Sequence, residues 1–270
     1  MRLQDKVALI TGAGRGIGRA IALAYAREGA LLSLAARTSQ ELEETAEQAQ
    51  GLGAQTHIIP TDITDKFQVD EMVRTTFERF SALDILVNNA GIVGPVGPLH
   101  DNDVDHWCQT ISVNVIGVFL CCRAALPIMR AQKRGKIINV YGGRGRHFSA
   151  YGASKVAVAD MTETMAMELA DVNIQVNALS PGSINTRMWE ETRDAAQAAG
   201  DAQLFEFGRQ VTGGGGASIS QAAELAIILA SDASDGLNGR VIESFSGGLS
   251  TLPQRIPCLL YTSPSPRDRG

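Results

Sequence analysis

Tyr151-Gly152-Ala153-Ser154-Lys155 is the stretch whose residue types could do chemistry. It heads an apolar-periodic run through Val156, Ala159, Met161, Met165 and Leu169, so Tyr151 and Lys155 share one face of a helix. An ammonium beside a phenol favours the phenolate, so Lys155 is expected to lower the pKa of Tyr151. A tyrosine brought toward neutral pH can exchange a proton with a carbonyl or alcohol oxygen. Taken alone, the same pair also reads as two residues on a solvated helix face. Other parts of the chain must decide between these readings.

The second such stretch is Thr11-Gly12-Ala13-Gly14-Arg15-Gly16-Ile17-Gly18. An apolar run at 7–10 precedes it, and a helical pattern at 19–28, closed by Gly29, follows. Between a strand and a helix, such glycines let the backbone approach a pyrophosphate, and the helix N-terminus offers free N–H groups. Alone, the glycines could make a tight turn; with a strand before and a helix after, dinucleotide binding is expected. The next strand, Leu31–Ala36, ends in Ala36-Arg37 without the carboxylate that usually holds a ribose 2′-hydroxyl. Arg37, with Arg15 in support, is therefore expected to pair with a 2′-phosphate, which favours NADP(H) over NAD(H). The alternative is that both are ordinary surface arginines.

These residues need a scaffold, and the chain alternates strand and helix as a parallel doubly wound α/β sheet requires. Strands are expected at 7–10, Leu31–Ala36, 55–60, 83–87, 136–140, 173–179 and 240–245. Helices are expected at 19–28, 40–51, from Asp65 as N-cap, 100–109, 110–131 with Pro127 near its end, from Tyr151, and at 221–231. Residues 187–220 are polar with a Gly213–Gly216 run and no clear period, which suggests a lid. Residues 257–270 fit no element and resemble translated adapter sequence. They are expected to be a non-native, disordered tail behind a single dinucleotide-binding domain spanning 1–256.

The bulk numbers agree with one α/β enzyme-sized unit. The chain has 270 residues, 44% hydrophobic and 20% charged, with a net charge of −5 and no basic block. That argues against nucleic acid or an anionic membrane as partner. No run of eighteen continuous apolar residues and no signal peptide is read, so a cytoplasmic protein is expected. The four cysteines, Cys108, Cys121, Cys122 and Cys258, show neither zinc nor disulfide spacing. The first three are read as small buried hydrophobes. No metal site is expected, since no His, Cys or carboxylate cluster has ligand spacing.

Over residues 5–250 the chain resembles the short-chain dehydrogenase/reductase family. The motifs run in order: Thr11-Gly12-x-x-x-Gly16-x-Gly18, Asp62-Ile63, Asn88-Asn89-Ala90-Gly91, Asn114, Tyr151-x-x-x-Lys155 and Pro181-Gly182. The resemblance implies a seven-stranded Rossmann sheet with helices on both faces. It also implies a homodimer or homotetramer built partly on the helices carrying Asn114 and Tyr151. Tyr151 would be the acid/base, and Lys155 would hold the cofactor ribose. Asn114 would anchor a water in a proton relay. Asp62 and Ile63 would flank the adenine, and Asn89, Ala90 and Gly91 the adenosine ribose side. Ile184 and Thr186, beyond Pro181-Gly182, would contact the nicotinamide end.

One family residue is missing. The resemblance calls for a catalytic Ser after the fifth strand, about thirteen residues before the Tyr. Here Tyr141 and Gly142 stand ten and nine residues before Tyr151, and the loop is about four residues short. Ser149 is the nearest hydroxyl, but it is expected to N-cap the Tyr151 helix. His147 is expected to be a loop side chain. Two readings stand: an NADP(H)-dependent oxidoreductase interconverting a carbonyl and a secondary alcohol, or a catalytically impaired dinucleotide-binding protein. A damaged or truncated gene product is a third, weaker reading. Trp107, Trp189, Phe205 and Phe207 hint at an apolar substrate pocket; lid or subunit contacts are the alternative.

Overall fold

The computed structural model describes residues 1–142 and 145–244. In chain order the strands are β1 (Val7–Thr11), β2 (Leu31–Ala36), β3 (Thr56–Pro60), β4 (Ile85–Asn88), β5 (Gly135–Val140), β6 (Ile174–Ser180) and β7 (Val241–Glu243). All pair in parallel in the order β3-β2-β1-β4-β5-β6-β7. A sheet covered on both faces buries its strands twice over, which is why β1 is apolar almost throughout and buried at all five positions. The strand order reverses between β1 and β4, where a crevice opens at the carboxyl ends of the strands.

The helices are α1 (Gly16–Arg27), α2 (Ser39–Gly51), α3 (Lys66–Phe80), α4 (Val104–Ile111), α5 (Gly117–Gln132), α6 (Ser149–Glu168), α7 (Arg187–Ala198), α8 (Ala202–Gln210) and α9 (Ile219–Ala230). One core lies under α1, α2 and α9, filled by Ile10, Ile21, Tyr25, Leu34 and Ile227. The other lies under α3, α5 and α6, filled by Leu9, Met72, Leu86, Met129 and Val158. The Tyr25 hydroxyl donates to the Ala226 carbonyl at 2.9 Å, a buried tie between α1 and α9. Asp65 caps α3 by accepting from the Phe67 and Gln68 N–H groups, as its sequence position suggests.

Three local expectations need correction. The segments 100–109 and 110–131 are not two helices meeting at Thr110. A single helical run, α4 to α5, crosses a π-helical turn at Ser112–Ile116. This run, Val104–Gln132, is long and apolar enough to cross a membrane, with a mean hydropathy of 1.9. Here it covers the sheet against α3, β4 and β5. Residues 187–220 hold two short helices, α7 and α8, which pack chiefly on each other. Cys108 is exposed, whereas Cys121 and Cys122 are buried free thiols. The tail, with Cys258 and Pro257, and Phe245 of the expected last strand lie outside the described residues.

Candidate active site

A cleft of about 1930 Å³ runs along the carboxyl ends of the strands, from the glycine turn to α6 and the α7–α8 segment. Its first end is built by main chain. Gly12 and Gly16 take positive φ of 64° and 54°, a conformation that favours glycine. A Cβ on Gly12 would stand 2.8 Å from the Asn89 amide nitrogen, and one on Gly18 would stand 2.2 Å from the Gly12 carbonyl oxygen. The turn is therefore as tight as its glycines permit. The Asn89 side chain fastens it by donating to the carbonyls of Thr11 (3.0 Å) and Gly12 (3.1 Å). Thr11 Oγ1 accepts the Asn89 and Ala90 N–H groups at 3.1 and 3.2 Å. Just past the turn, α1 begins with no side-chain cap, so its first N–H groups face the cleft unspent.

Charge sits on the rim of this end. Arg15 Nη1 bonds Glu41 Oε1 at 3.0 Å. Arg37 is exposed and carries no ion pair among the described residues. Asp62 lines the cleft, its Oδ1 accepting from the Thr64 N–H (2.9 Å) and hydroxyl (2.7 Å), while Ile63 is buried against Gly117.

The second end is built by side chains. Lys155 is buried, and its ammonium donates to the Val140 carbonyl at 2.8 Å. It stands 5.4 Å from the centroid of the Tyr151 ring. Asn114, fully buried in the π-helical turn, bonds the Ile92 N–H (2.9 Å) and carbonyl (2.8 Å) and donates to Ser154 Oγ at 3.0 Å. π-Turns inside helices are frequent at functional sites, because they displace one residue from the regular ladder. The Tyr151 hydroxyl makes no hydrogen bond among the described residues, and its ring lines the cleft.

The expectation that Lys155 lowers the Tyr151 pKa is reversed. Burial, with the neighbouring Tyr141 phenol adding to it, pushes Tyr151 up to about 12. Burial pushes Lys155 down to about 8. Desolvation penalises both charged forms, the phenolate of one and the ammonium of the other.

Gly142 fills the space under the phenol. A Cβ there would stand 2.2 Å from the Tyr151 hydroxyl oxygen. Ser149 does not cap α6, whose N-cap is Phe148 without a side-chain bond. Its hydroxyl instead accepts from Asn102 Nδ2 (2.7 Å) and Trp107 Nε1 (3.2 Å). His147, at φ 66°, contacts Asp201 at 2.5 Å, tying the loop before α6 to the N-terminus of α8.

Most residues singled out in the sequence line this one cleft: Gly12, Gly14, Arg15, Gly16, Ile17, Arg37, Asp62, Ile63, Asn89, Ala90, Gly91, Tyr151, Lys155, Pro181, Gly182, Ile184 and Thr186. Gly18 and Asn114 stand one layer behind it. Thr186 closes over the glycine turn, its methyl 3.5 Å from where a Cβ of Gly16 would be. Of the four aromatics, Trp189 and Phe207 meet edge to face at 5.3 Å and line the cleft, whereas Trp107 holds Ser149 and Phe205 stands outside the lining. Tyr141, which stands where the sequence places the missing Ser, lines the cleft, and so does Glu41, which sequence reading does not single out. No spacing rule flags Glu41, since it reaches the site through tertiary packing.

A parallel sheet in this order, with a glycine turn at one end and, at the other, a cleft-lining tyrosine beside a buried lysine, is the build of a dinucleotide-dependent oxidoreductase. The short chain dehydrogenase family model matches residues 6–197. The chain is 37% identical over 257 residues to the 3-oxoacyl-acyl-carrier-protein reductase FabG of Thermotoga maritima, covering 92% of this chain and 99% of the relative. Among solved structures, levodione reductase superposes with a TM-score of 0.83 at 32% identity, covering 90% of this chain and 96% of its own. NAD+-bound xylitol dehydrogenase superposes with a TM-score of 0.84 at 30% identity, covering 90% and 98%. The chain belongs to the short-chain dehydrogenase family, oxidoreductases that use NAD(H) or NADP(H).

Proposed function

We propose that the protein is an NADP(H)-dependent oxidoreductase that interconverts a carbonyl and a secondary alcohol, with Tyr151 as the acid/base. The observation that carries this reading is the Tyr151 phenol in the cleft wall, without a hydrogen bond among the described residues, with the Lys155 ammonium and the Asn114 turn held behind it. The other end fits a dinucleotide. The Gly12 and Gly18 positions have no room for a Cβ, and the start of α1 is uncapped, as a pyrophosphate cradle requires.

When bound, the nicotinamide supplies or accepts the hydride. The chain's own residues handle position and the proton. Burial keeps the Tyr151 proton in place at neutral pH, so in the reductive direction the phenol is a donor to the substrate oxygen. Lys155, anchored on Val140 with its ammonium 5.4 Å from the centroid of the phenol ring, would hold the cofactor's ribose hydroxyls, and its charge would steady the phenolate left behind. Both N–H donors of the Asn114 amide are spent on Ile92 and Ser154. A relay water would meet the remaining lone pair of its Oδ1 or its main-chain carbonyl. Trp189 and Phe207 give the substrate side an apolar wall, which suits a small organic carbonyl.

Arg37 supports the NADP(H) preference: it is exposed, carries no ion pair among the described residues, and directly follows β2, which ends in Ala36 without the carboxylate that would hold a ribose 2′-hydroxyl. Buried free thiols at Cys121 and Cys122 suit a reducing cytoplasm. Phe119 on α5 and Ile116 at the end of the π-helical turn, each about half exposed (49% and 46%), with Val156 on α6, suit burial in a homodimer or homotetramer.

A second reading, a dinucleotide-binding protein with little turnover, is favoured by Gly142, which offers the substrate oxygen no side-chain donor. A panel of ketones, aldehydes and secondary alcohols assayed by NADPH absorbance, with NADPH binding measured in parallel, separates the two. Turnover on any member supports the enzyme; tight NADPH binding with no turnover across the panel supports the second reading.

A further inference from the structure

Glu41 is a carboxylate at the rim of the glycine turn that the proposed function leaves unused. It stands in the first turn of α2, and that turn is riveted to the glycine loop. The Thr45 hydroxyl, fully buried, donates to the Ala13 carbonyl at 3.1 Å. Arg19 spans the gap, its Nε bonding the Gly14 carbonyl (2.9 Å) and Thr45 Oγ1 (3.0 Å), and its Nη2 the Glu41 carbonyl (3.3 Å). Held this way, Glu41 lies against Gly14: a Cβ there would stand 2.8 Å from the Glu41 Cβ and 3.2 Å from its Oε2. Its other oxygen takes the Arg15 guanidinium at 3.0 Å, with the Glu41 side chain 29% exposed.

Arg15, Arg37 and Glu41 line the same end of the cleft. Two arginines there can hold a phosphate dianion between them, but one is already neutralised by a carboxylate. An incoming 2′-phosphate must either displace that carboxylate or sit beside it. A ribose 2′-hydroxyl meets no such competition.

We propose that Glu41 is a selectivity-determining residue of this cleft: by occupying Arg15 it leaves Arg37, of the two arginines at this end, to meet a 2′-phosphate, and so narrows the discrimination between phosphorylated and unphosphorylated dinucleotides. The inference rests on reading this end of the cleft as the adenosine side.

Calorimetric titration with adenosine 2′,5′-bisphosphate and with 5′-AMP tests it without turnover. Glu41→Gln keeps the size of the side chain and removes its charge. It is expected to tighten the bisphosphate by about tenfold, the scale of one recovered bond from a charged donor, and to leave AMP within about twofold. In an Arg15→Ala background the gain from Glu41→Gln is expected to shrink to about twofold, because only repulsion is then relieved. A second variant, Glu41→Ala, guards against a local effect of the new amide, and the melting temperature of each variant reports folding. An unchanged bisphosphate-to-AMP ratio in both Glu41 variants overturns the inference, as does an equal gain for both ligands. A wild-type protein with no preference for the bisphosphate counts against the NADP(H) reading; if Glu41→Gln then creates that preference, the selectivity role of Glu41 stands.

Discussion

The two ends of the cleft solve opposite problems. The glycine-turn end is main chain and surface charge: tight backbone at Gly12 and Gly18, an uncapped helix, and arginines in reach of water. The Tyr151 end is side chain and burial: a lysine 5% exposed, an asparagine with no exposure, and a phenol whose proton is held by desolvation. Charge at the first end is screened and interchangeable, so substitutions there should tune which dinucleotide binds. At the second end the groups are desolvated and placed against one another, so substitutions there should change rate and stability. On the proposed function, recognition and chemistry in this molecule should therefore be separable by mutation.

The strongest test of that separation is Tyr151→Phe. It removes one hydroxyl that makes no hydrogen bond among the described residues, so fold and NADPH affinity should survive. Turnover should fall by about a hundred- to ten-thousand-fold, the scale of a lost general acid. Single-turnover hydride transfer on one responsive substrate measures it, and a variant as fast as the wild type would remove Tyr151 from the mechanism.

Gly142→Ser comes next. It restores the family's residue type, yet its Cβ would stand 2.2 Å from the Tyr151 oxygen. The phenol has to move, and an error of about 1 Å costs on the order of a hundredfold. The expected result is a slower enzyme with unchanged dinucleotide affinity. A gain in rate would mean that the loop yields and the phenol keeps its place.

At the other end, Arg37→Ala should weaken NADPH by about 1.5–3 kcal/mol, the worth of a bond to a charged group, and leave NADH nearly untouched. Equal losses for both cofactors, read by fluorescence titration, would show that Arg37 does not meet the 2′-phosphate.

How far the sequence already described this molecule follows the same division. Strands buried on both faces announce themselves as apolar runs, and β2 falls on its expected residues, Leu31–Ala36. The glycine turn and the Tyr-Lys spacing are local in sequence, so they were readable as motifs. The sequence divides the α4-to-α5 run at Thr110, where a polar stretch gives way to an apolar one, and a change of composition carries no sign that the helix continues through the π-turn at Ser112–Ile116. The helices α7 and α8 were missed because they pack mainly on each other, so their apolar faces are short. Ser149 looked like a cap, but Asn102 and Trp107, more than forty residues away, claim its hydroxyl. The Arg15–Glu41 pair and the burial that sets the Tyr151 and Lys155 titrations are tertiary facts with no local signal.

The last contrast is between function and stability at the buried end. Burial holds Lys155 down to about 8, against 10.5 for a free lysine, which costs the charged form about 3 kcal/mol. The folded state thus binds fewer protons than the unfolded state between those two values, and stability contributed at this site rises with pH across that window. The penalty is fully present below pH 8 and is gone above pH 10.5. Lys155→Met removes the charge but also the bond to the Val140 carbonyl, worth about 1–1.5 kcal/mol. The cofactor-free variant should therefore be more stable than the wild type by about 1–2 kcal/mol at pH 7, while losing turnover. Urea unfolding at pH 7 and at pH 10 measures both arms. The advantage of the variant should shrink toward zero, or reverse, at the higher pH, because there the wild-type lysine is neutral in the fold and keeps its hydrogen bond. A pH-independent difference would show that Lys155 is held charged by its surroundings, and that desolvation does not govern this end of the cleft.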